Sequence, residues 1–454
     1  MRKRSIVQRS LFDHAIDTLL SLFKPNRQLK VMDAIIKENP EIVKAVHADL
    51  TKEVSATGRN GISAERVVRT AILKQLKGYS YRELSDQVHG SVPFRWFTRF
   101  YSDEIPHFTA LQKSIKAIRE DTWRNINTLL VHYAKGKKME KGHDLRVDTT
   151  VIETNIAYPV DARLLWDSVR VLTRIMEAGS ELIPEVSFNF AKRTRRSKKL
   201  CYGIVMAKGS QAQNRRKKLY RKLLKVTQEV VCMAHGCREQ LLKSTYPQAL
   251  SGEAALAHYL RLAAQVINQC ERRVFKGEKV SSSEKIVSLF EDHTDIIKRG
   301  KSHTPAEYGH KVLFTTGRSG LITQYEIFRG NPSDSGMLPE VVFTHHTQYG
   351  EAPTSLSGDR RFFSAANEHI AYSSGSEKVC ISKPGYRSKA RRALEHEPWF
   401  RKLKRFRAGI EGIISTLMRS FGLSRCLWKG WESFCSYVGL GVVTFNLRKI
   451  AALI

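Results

Sequence analysis

The chain has 454 residues, 42% apolar and 9% aromatic, which suits two or three folded domains and argues against general disorder. It carries 76 Lys and Arg against 44 Asp and Glu, a formal charge of +32, so its expected partner is a polyanion, most simply DNA or RNA. The best apolar run, SYVGLGVVTF at 436–445, is shorter than the roughly 18 residues a membrane span requires, and the seven scattered cysteines read as reduced thiols of a cytoplasmic protein.

Residues 1 to about 140 read as mostly helical. Val68, Ile72 and Leu76 recur at helical spacing until Gly78 stops the helix. Ser80 and Glu83 then form a capping-box pair that opens a second helix, and Pro93 sits near the start of a third segment, where Phe94, Trp96 and Phe97 mix with Arg95 and Arg99. Three short helices with tight turns fit a helix-turn-helix DNA reader and an ordinary helical bundle about equally.

A β-type run, LRVDTTVIETNI, occupies 145–156. Arg146, Asp148, Thr150 and Ile152 share one face of the implied strand, and Leu145, Val147, Thr149 and Val151 the other. A long helical stretch is expected from about 161 to 300. Within it, Val186 to Gln228 holds fourteen Lys or Arg and no acid, with Arg193, Arg195, Arg196, Arg215 and Arg216 prominent. Such a tract repels itself unless it meets a counter-charge, which favours phosphate contact over a merely solvated face.

Alternation resumes at 310–328 as strand, glycine-containing turn and strand. A helix-like segment follows near Met337–His345, then a short strand ending at Asp359, a helix capped at Ser364 and another short strand at 376–383. A long amphipathic helix is expected from about Trp399 to Phe421, and a helical tail over 431–454.

Three acids stand out: Asp148 inside a strand, Asp359 at a strand end and Glu411 on the late helix. An ionised carboxylate within a sheet is costly unless it is paired or binds a metal. Oxygen donors of this kind suit Mg²⁺, and two such ions can drive in-line phosphoryl displacement. Each acid also has a plainer reading: pairing of Asp148 with Arg146, turn chemistry at Asp359, and an ion pair of Glu411 with Arg407. His345 and His346 lack companion ligands and read as structural or exposed.

LRVDTTVIETNIAYPVDARLLWDSVRVLTRI (145–175), SLSGDRRFFSAANE (355–368) and RFRAGIEGIISTLMRSFGLSRCLWKG (405–430) resemble, in order, the three acidic segments of bacterial insertion-sequence DDE transposases, especially the "not classified yet" (ISNCY) group. The stretch 61–97 is similar to their helical N-terminal domain. The resemblance implies an α/β fold: an RNase H-like mixed sheet flanked by helices, with a helical N-terminal domain and a large helical insertion. In that frame 1–140 is a DNA-binding helical domain, 141–160 the first core strand, 161–305 the basic insertion, 306–430 the remaining core and 431–454 the tail.

It further implies that Asp148, Asp359 and Glu411 hold two Mg²⁺ ions, with Mn²⁺ able to substitute, and that Arg407, Arg419 and the basic tract contact DNA. The implied partners are the element's terminal inverted repeats and target DNA, with at least a homodimer on DNA, no membrane, and a bacterial, nucleoid-associated cytoplasmic location. Two departures from the family pattern are Arg361, where it usually has glycine, and Met418, where it commonly has lysine. The readings that follow are an active transposase, a catalytically inactive DNA-binding descendant of one, and a nuclease that never joins strands.

Overall fold

The computed structural model describes residues 3–5, 26–52, 61–182, 188–298 and 306–454. It divides into two compact units: Met1–Thr154 with His310–Ile454, and Asn155–Gly309.

The first unit opens with helices α1 (Arg27–Glu38), α2 (Pro40–Thr51), α3 (Ala64–Lys77), α4 (Tyr81–Gly90), α5 (Val92–Thr98), α6 (Phe108–Lys116) and α7 (Glu120–Gly136). Local chemistry sets their boundaries. Gly78 ends α3 at φ +69°, a left-handed conformation that costs glycine little. The Ser80 hydroxyl accepts from Glu83 N at 3.2 Å while the Glu83 carboxylate accepts from Ser80 N at 2.7 Å, so the expected capping box opens α4. Arg95 and Arg99, candidates for a DNA-reading face, are used internally. Arg95 donates to the carbonyls of His89, Tyr101 and Asp103, and Arg99 joins Arg69 on the buried Asp33 carboxylate. Burial opposes ionisation of Asp33, but these two guanidiniums outweigh it and hold the carboxyl below its ordinary range.

The sheet follows. Strand β1 is Asp144–Thr154, β2 is Asp295–Ile297, β3 is Glu307–Thr316, β4 is Ile322–Phe328, β5 is Ser355–Gly358, β6 is Lys378–Ile381 and β7 is Arg425–Cys426. In the first unit the order is β4-β3-β1-β5-β6. β3 and β4 form an antiparallel hairpin, β1, β5 and β6 run parallel, and β7 adds in parallel to the far end of β1. The fold is therefore mixed α/β, as expected. Leu145 and Val147 face an apolar layer with Leu356, Val379, Leu338 and Val341, so the pleat turns Arg146 and Asp148 to the opposite side.

Helices α12 (Leu338–Tyr349), α13 (Ala365–Ser373), α14 (Lys389–His396), α15 (Pro398–Ser420) and α16 (Trp431–Leu453), numbered after those of the second unit, complete the first. The segment read as a tail is the helix α16, and Val438–Leu447 is buried on every side. A helix apolar all round belongs inside a core rather than on its edge. Trp123 of α7 donates to the Ser436 hydroxyl at 3.0 Å, and Asn446 bonds Asn127 and both backbone groups of Ile322. A Cβ on Gly439 would lie 2.6 Å from the Trp123 Cβ, so glycine permits this approach.

The second unit contains α8 (Asp161–Leu182), α9 (Thr194–Val205), α10 (Ala212–Lys243) and α11 (Pro247–Cys270), the last extended by a π turn at Glu271–Phe275. Leu165, Leu172, Leu223, Val226, Leu256 and Val266 lie in its core. Helix was expected to about 300 but ends at Phe275. Gln269 explains the difference: its side chain binds both Ile286 N and Ile286 O, folding the Gly277–Lys285 segment back on α11. β2 then pairs with Glu307–Gly309 at the start of β3.

Candidate active site at the strand ends

The parallel register of β1 and β5 aligns Val147 with Gly358. Asp148 and Asp359 each follow that pair, so they occupy corresponding positions on strands spaced about 4.8 Å apart. Asp148 is 14% exposed. One of its oxygens accepts from Thr149 N at 2.8 Å and the other from Arg407 Nη2 at 2.9 Å. Asp359 is half-buried and accepts from Arg360 N at 2.7 Å, starting the short 3₁₀ turn Arg360–Phe362. Its turn role and its place beside Asp148 therefore coexist.

Glu411 lies on α15, 64% exposed, and its Oε1 accepts from Arg407 Nη1 at 2.9 Å. Arg407 thus joins Asp148 and Glu411 through one guanidinium, in a geometry a lysine's single nitrogen cannot reproduce. Its Nε is buried with no hydrogen-bond partner. The guanidinium already supplies positive charge between two of the three acids.

Arg146 sets the position of α15. It does not pair with Asp148. Its Nε donates to Thr316 Oγ1 at 2.7 Å, its Nη1 donates to Phe406 O at 2.6 Å, and its guanidinium lies 4.5 Å from the Phe406 ring centroid. Burial lowers its pKa. A Cβ on Gly409 would sit 2.4 Å from Arg146 Nη1, so this crossing needs a glycine one turn after Phe406. The contact escaped the sequence reading because nothing local links residue 146 to 406 and 409. The one available signal was a guanidinium on the same strand face as Asp148.

The remaining candidates are dispersed. Arg419 is exposed and donates to Ser415 on its own helix, while Met418 is half-buried against the main core. Arg361 is exposed within the 3₁₀ turn and its φ is not positive, so the backbone there does not demand glycine. In the second unit Arg193 pairs with Glu229 at 3.5 Å, and Arg216 donates to the carbonyls of Ile204, in the last turn of α9, and Ala207, just beyond it. Arg195, Arg196 and Arg215 are exposed. His345 is buried, donates from Nε2 to the Gly142 carbonyl at 3.0 Å and stacks on Tyr349, while His346 is exposed.

All-oxygen donors fit a hard divalent cation in chemistry. Among the described residues, however, no three His, Cys, Asp or Glu converge as a metal-binding group. The acids lie in one neighbourhood, with Arg407 between two of them.

Carboxylates at the ends of neighbouring parallel strands, joined to a helix acid by arginine in a chain of charge +32, are the chemistry of a protein that handles nucleic acid. Comparison with known families narrows this. Residues 17–117 match the family described as Transposase domain (DUF772), and residues 373–451 match that described as Transposase DDE domain. These two matches support an insertion-sequence DDE transposase, and neither distinguishes the ISNCY group. The second match includes Arg407 and Glu411, while Asp148 and Asp359 fall outside both. No curated protein and no solved structure matched the chain. Among the described residues, no helix is long and apolar enough to cross a membrane.

Proposed function

We propose that the chain cuts the ends of its own DNA element and joins their 3′ ends to target DNA, with Asp148, Asp359 and Glu411 as its catalytic acids. The observation that carries this reading is the register that makes Asp148 and Asp359 neighbours, with Arg407 linking Asp148 to Glu411. The strand order β4-β3-β1-β5-β6, with a hairpin on one side of β1 and parallel strands on the other, supports an RNase H-like core.

The three acids would hold Mg²⁺ or Mn²⁺, which when bound supplies activation of water or a 3′-hydroxyl and stabilises the leaving oxygen. Within the chain, Arg407 pairs with Asp148 and Glu411, and it would take a phosphate oxygen if those acids held a cation. Arg146 holds α15 against β1 and so fixes Arg407 and Glu411 relative to Asp148. On the second unit Arg193, Arg195, Arg196, Arg215 and Arg216 would contact DNA phosphates, and on the first unit Arg419 would do so. The N-terminal helices would recognise the inverted repeats, and pairing of two ends would require at least a dimer.

The test uses duplexes copied from the DNA flanking the gene, with Mg²⁺ or Mn²⁺. Metal-dependent cleavage and strand transfer are expected, with each of Asp148→Asn, Asp359→Asn and Glu411→Gln reducing the rate by at least 10³-fold. Cleavage by Asp148→Asn and Asp359→Asn at the wild-type rate would overturn the assignment. Steeply salt-dependent binding with no cleavage by the wild-type chain would select the inactive DNA-binding reading instead.

A further inference from the structure

The segment between β6 and α15 has no role in the site as described so far. β5 and β6 are parallel and in register, Gly358 opposite Ile381, so the chain leaves β6 at the same sheet edge as Asp359. It then runs through Ser382–Ser388 and α14 before entering α15, which carries Arg407 and Glu411. The excursion therefore leaves from the sheet edge that carries Asp359, and it enters α15 at Pro398, about 13 Å of helix rise before Arg407.

The excursion is held in place by ion pairs and hydrogen bonds. Glu395 accepts from Lys383 N at 3.0 Å, Arg387 Nη1 at 2.9 Å and Arg391 Nε at 3.0 Å. Arg391 also bonds Glu368 at 2.6 Å and the Ile381 carbonyl, and its guanidinium lies 5.0 Å from the Phe363 ring centroid. Ser388 caps α14, and Gly385 turns the loop at φ +69°.

At the tip of this braced loop, the Tyr386 side chain points outward, the residue being 83% exposed. A braced loop presents this ring at a fixed position, with its face open to anything that can stack on it. Charge identifies that occupant. Residues 383–407 contain ten Lys or Arg and two acids. Glu395 is consumed by the contacts above, while Glu397, at the N-cap position of α15, is exposed and makes no side-chain cap bond, leaving one acid against the ten bases. Lys383, Lys389 and Arg392 form no ion pair among the described residues, and the last two are exposed. A protein surface would have to supply matching acids, whereas a DNA strand supplies phosphates at a regular spacing and bases for the ring.

We propose that the Ser382–Ser388 loop is a strand clamp, in which Tyr386 stacks on a nucleobase beside the bond being cut and Lys389 and Arg392 take the adjoining phosphates. This rests on the reading of Asp148, Asp359 and Glu411 as the cutting site, because that reading puts the scissile bond at this sheet edge.

The test uses a pre-cleaved duplex of the flanking DNA, with 2-aminopurine at each of the four positions nearest the 3′ end in turn and Ca²⁺ in place of Mg²⁺. Wild type is expected to quench 2-aminopurine at one or two of these positions. Tyr386→Ala should abolish that quenching and weaken binding about tenfold, a loss within the usual range for base stacking. Tyr386→Phe, which keeps the ring, should behave as wild type. The double variant Lys389→Gln/Arg392→Gln should lower the slope of log K against log salt by about 2. Melting curves control for folding, which the exposure of Tyr386 makes safe. Unchanged quenching and affinity in Tyr386→Ala would overturn the clamp. That result is separable from the catalytic assignment, which stands or falls on whether Asp148→Asn still cleaves.

Discussion

Replacing Arg146 by methionine keeps much of the side chain's volume and removes its guanidinium. Two hydrogen bonds from a charged donor are lost, to Thr316 Oγ1 at 2.7 Å and to Phe406 O at 2.6 Å, with a cation–π contact at 4.5 Å. Such bonds contribute about 1.5–3 kcal/mol each, and relief from burying a charge offsets part of the loss. The expected net destabilisation is about 3 kcal/mol. The larger effect should fall on rate. Without Arg146 the Phe406 turn keeps only the neighbouring Arg407–Asp148 pair as a charged link to β1, and a shift of about 1 Å in Arg407 and Glu411 can cost about 10²-fold. Urea unfolding followed by tryptophan fluorescence gives the stability change, and the flanking-DNA cleavage assay gives the rate. A folded Arg146→Met protein that cleaves within threefold of wild type would refute the idea that this contact positions α15.

Two further outcomes follow from packing and protonation. Gly439→Ala places a methyl 2.6 Å from the Trp123 Cβ and 2.8 Å from the Tyr325 hydroxyl, and should cost about 1–3 kcal/mol by urea midpoint. Burial pushes the His345 pKa down to about 4, whereas an unfolded histidine titrates near 6.5. The unfolded chain therefore binds this proton first, so stability present above about pH 6.5 is lost as pH falls toward 4. Between pH 7.5 and 5 the loss should be about 2 kcal/mol in wild type, and His345→Asn should show correspondingly less pH dependence.

Much of the local architecture was legible because its causes are local. Gly78, the Ser80–Glu83 box, the alternation through 145–151 and the Ser364 cap each act within a few residues, and each element is present. Long-range facts were not legible. The register that pairs 147 with 358 depends on strands far apart in sequence, and the Arg146 contact depends on where a helix lies. Gln269 ends the helical stretch by reaching 17 residues ahead, which no periodicity reports. The burial of α16 has a signal in the sequence: SYVGLGVVTF lacks a charged face, and a helix without one seeks a core.

The bond between Trp123 and Ser436 joins residues 313 positions apart. At a synthesis rate of about 5–20 residues per second, roughly 15–60 s separate the two partners on the ribosome. Through that interval the apolar side of α7 has no α16 to cover it, while the helices of the second unit, contiguous from Asn155 to Gly309, can gather as they emerge. The order of assembly is thus written into the topology. β1 is made early, but Asp359 and Glu411 reach the strand-end site only once the sheet and α15 exist, and the core that supports them closes later still. The nascent chain therefore carries Asp148 long before Asp359, Arg407 and Glu411 are there to meet it.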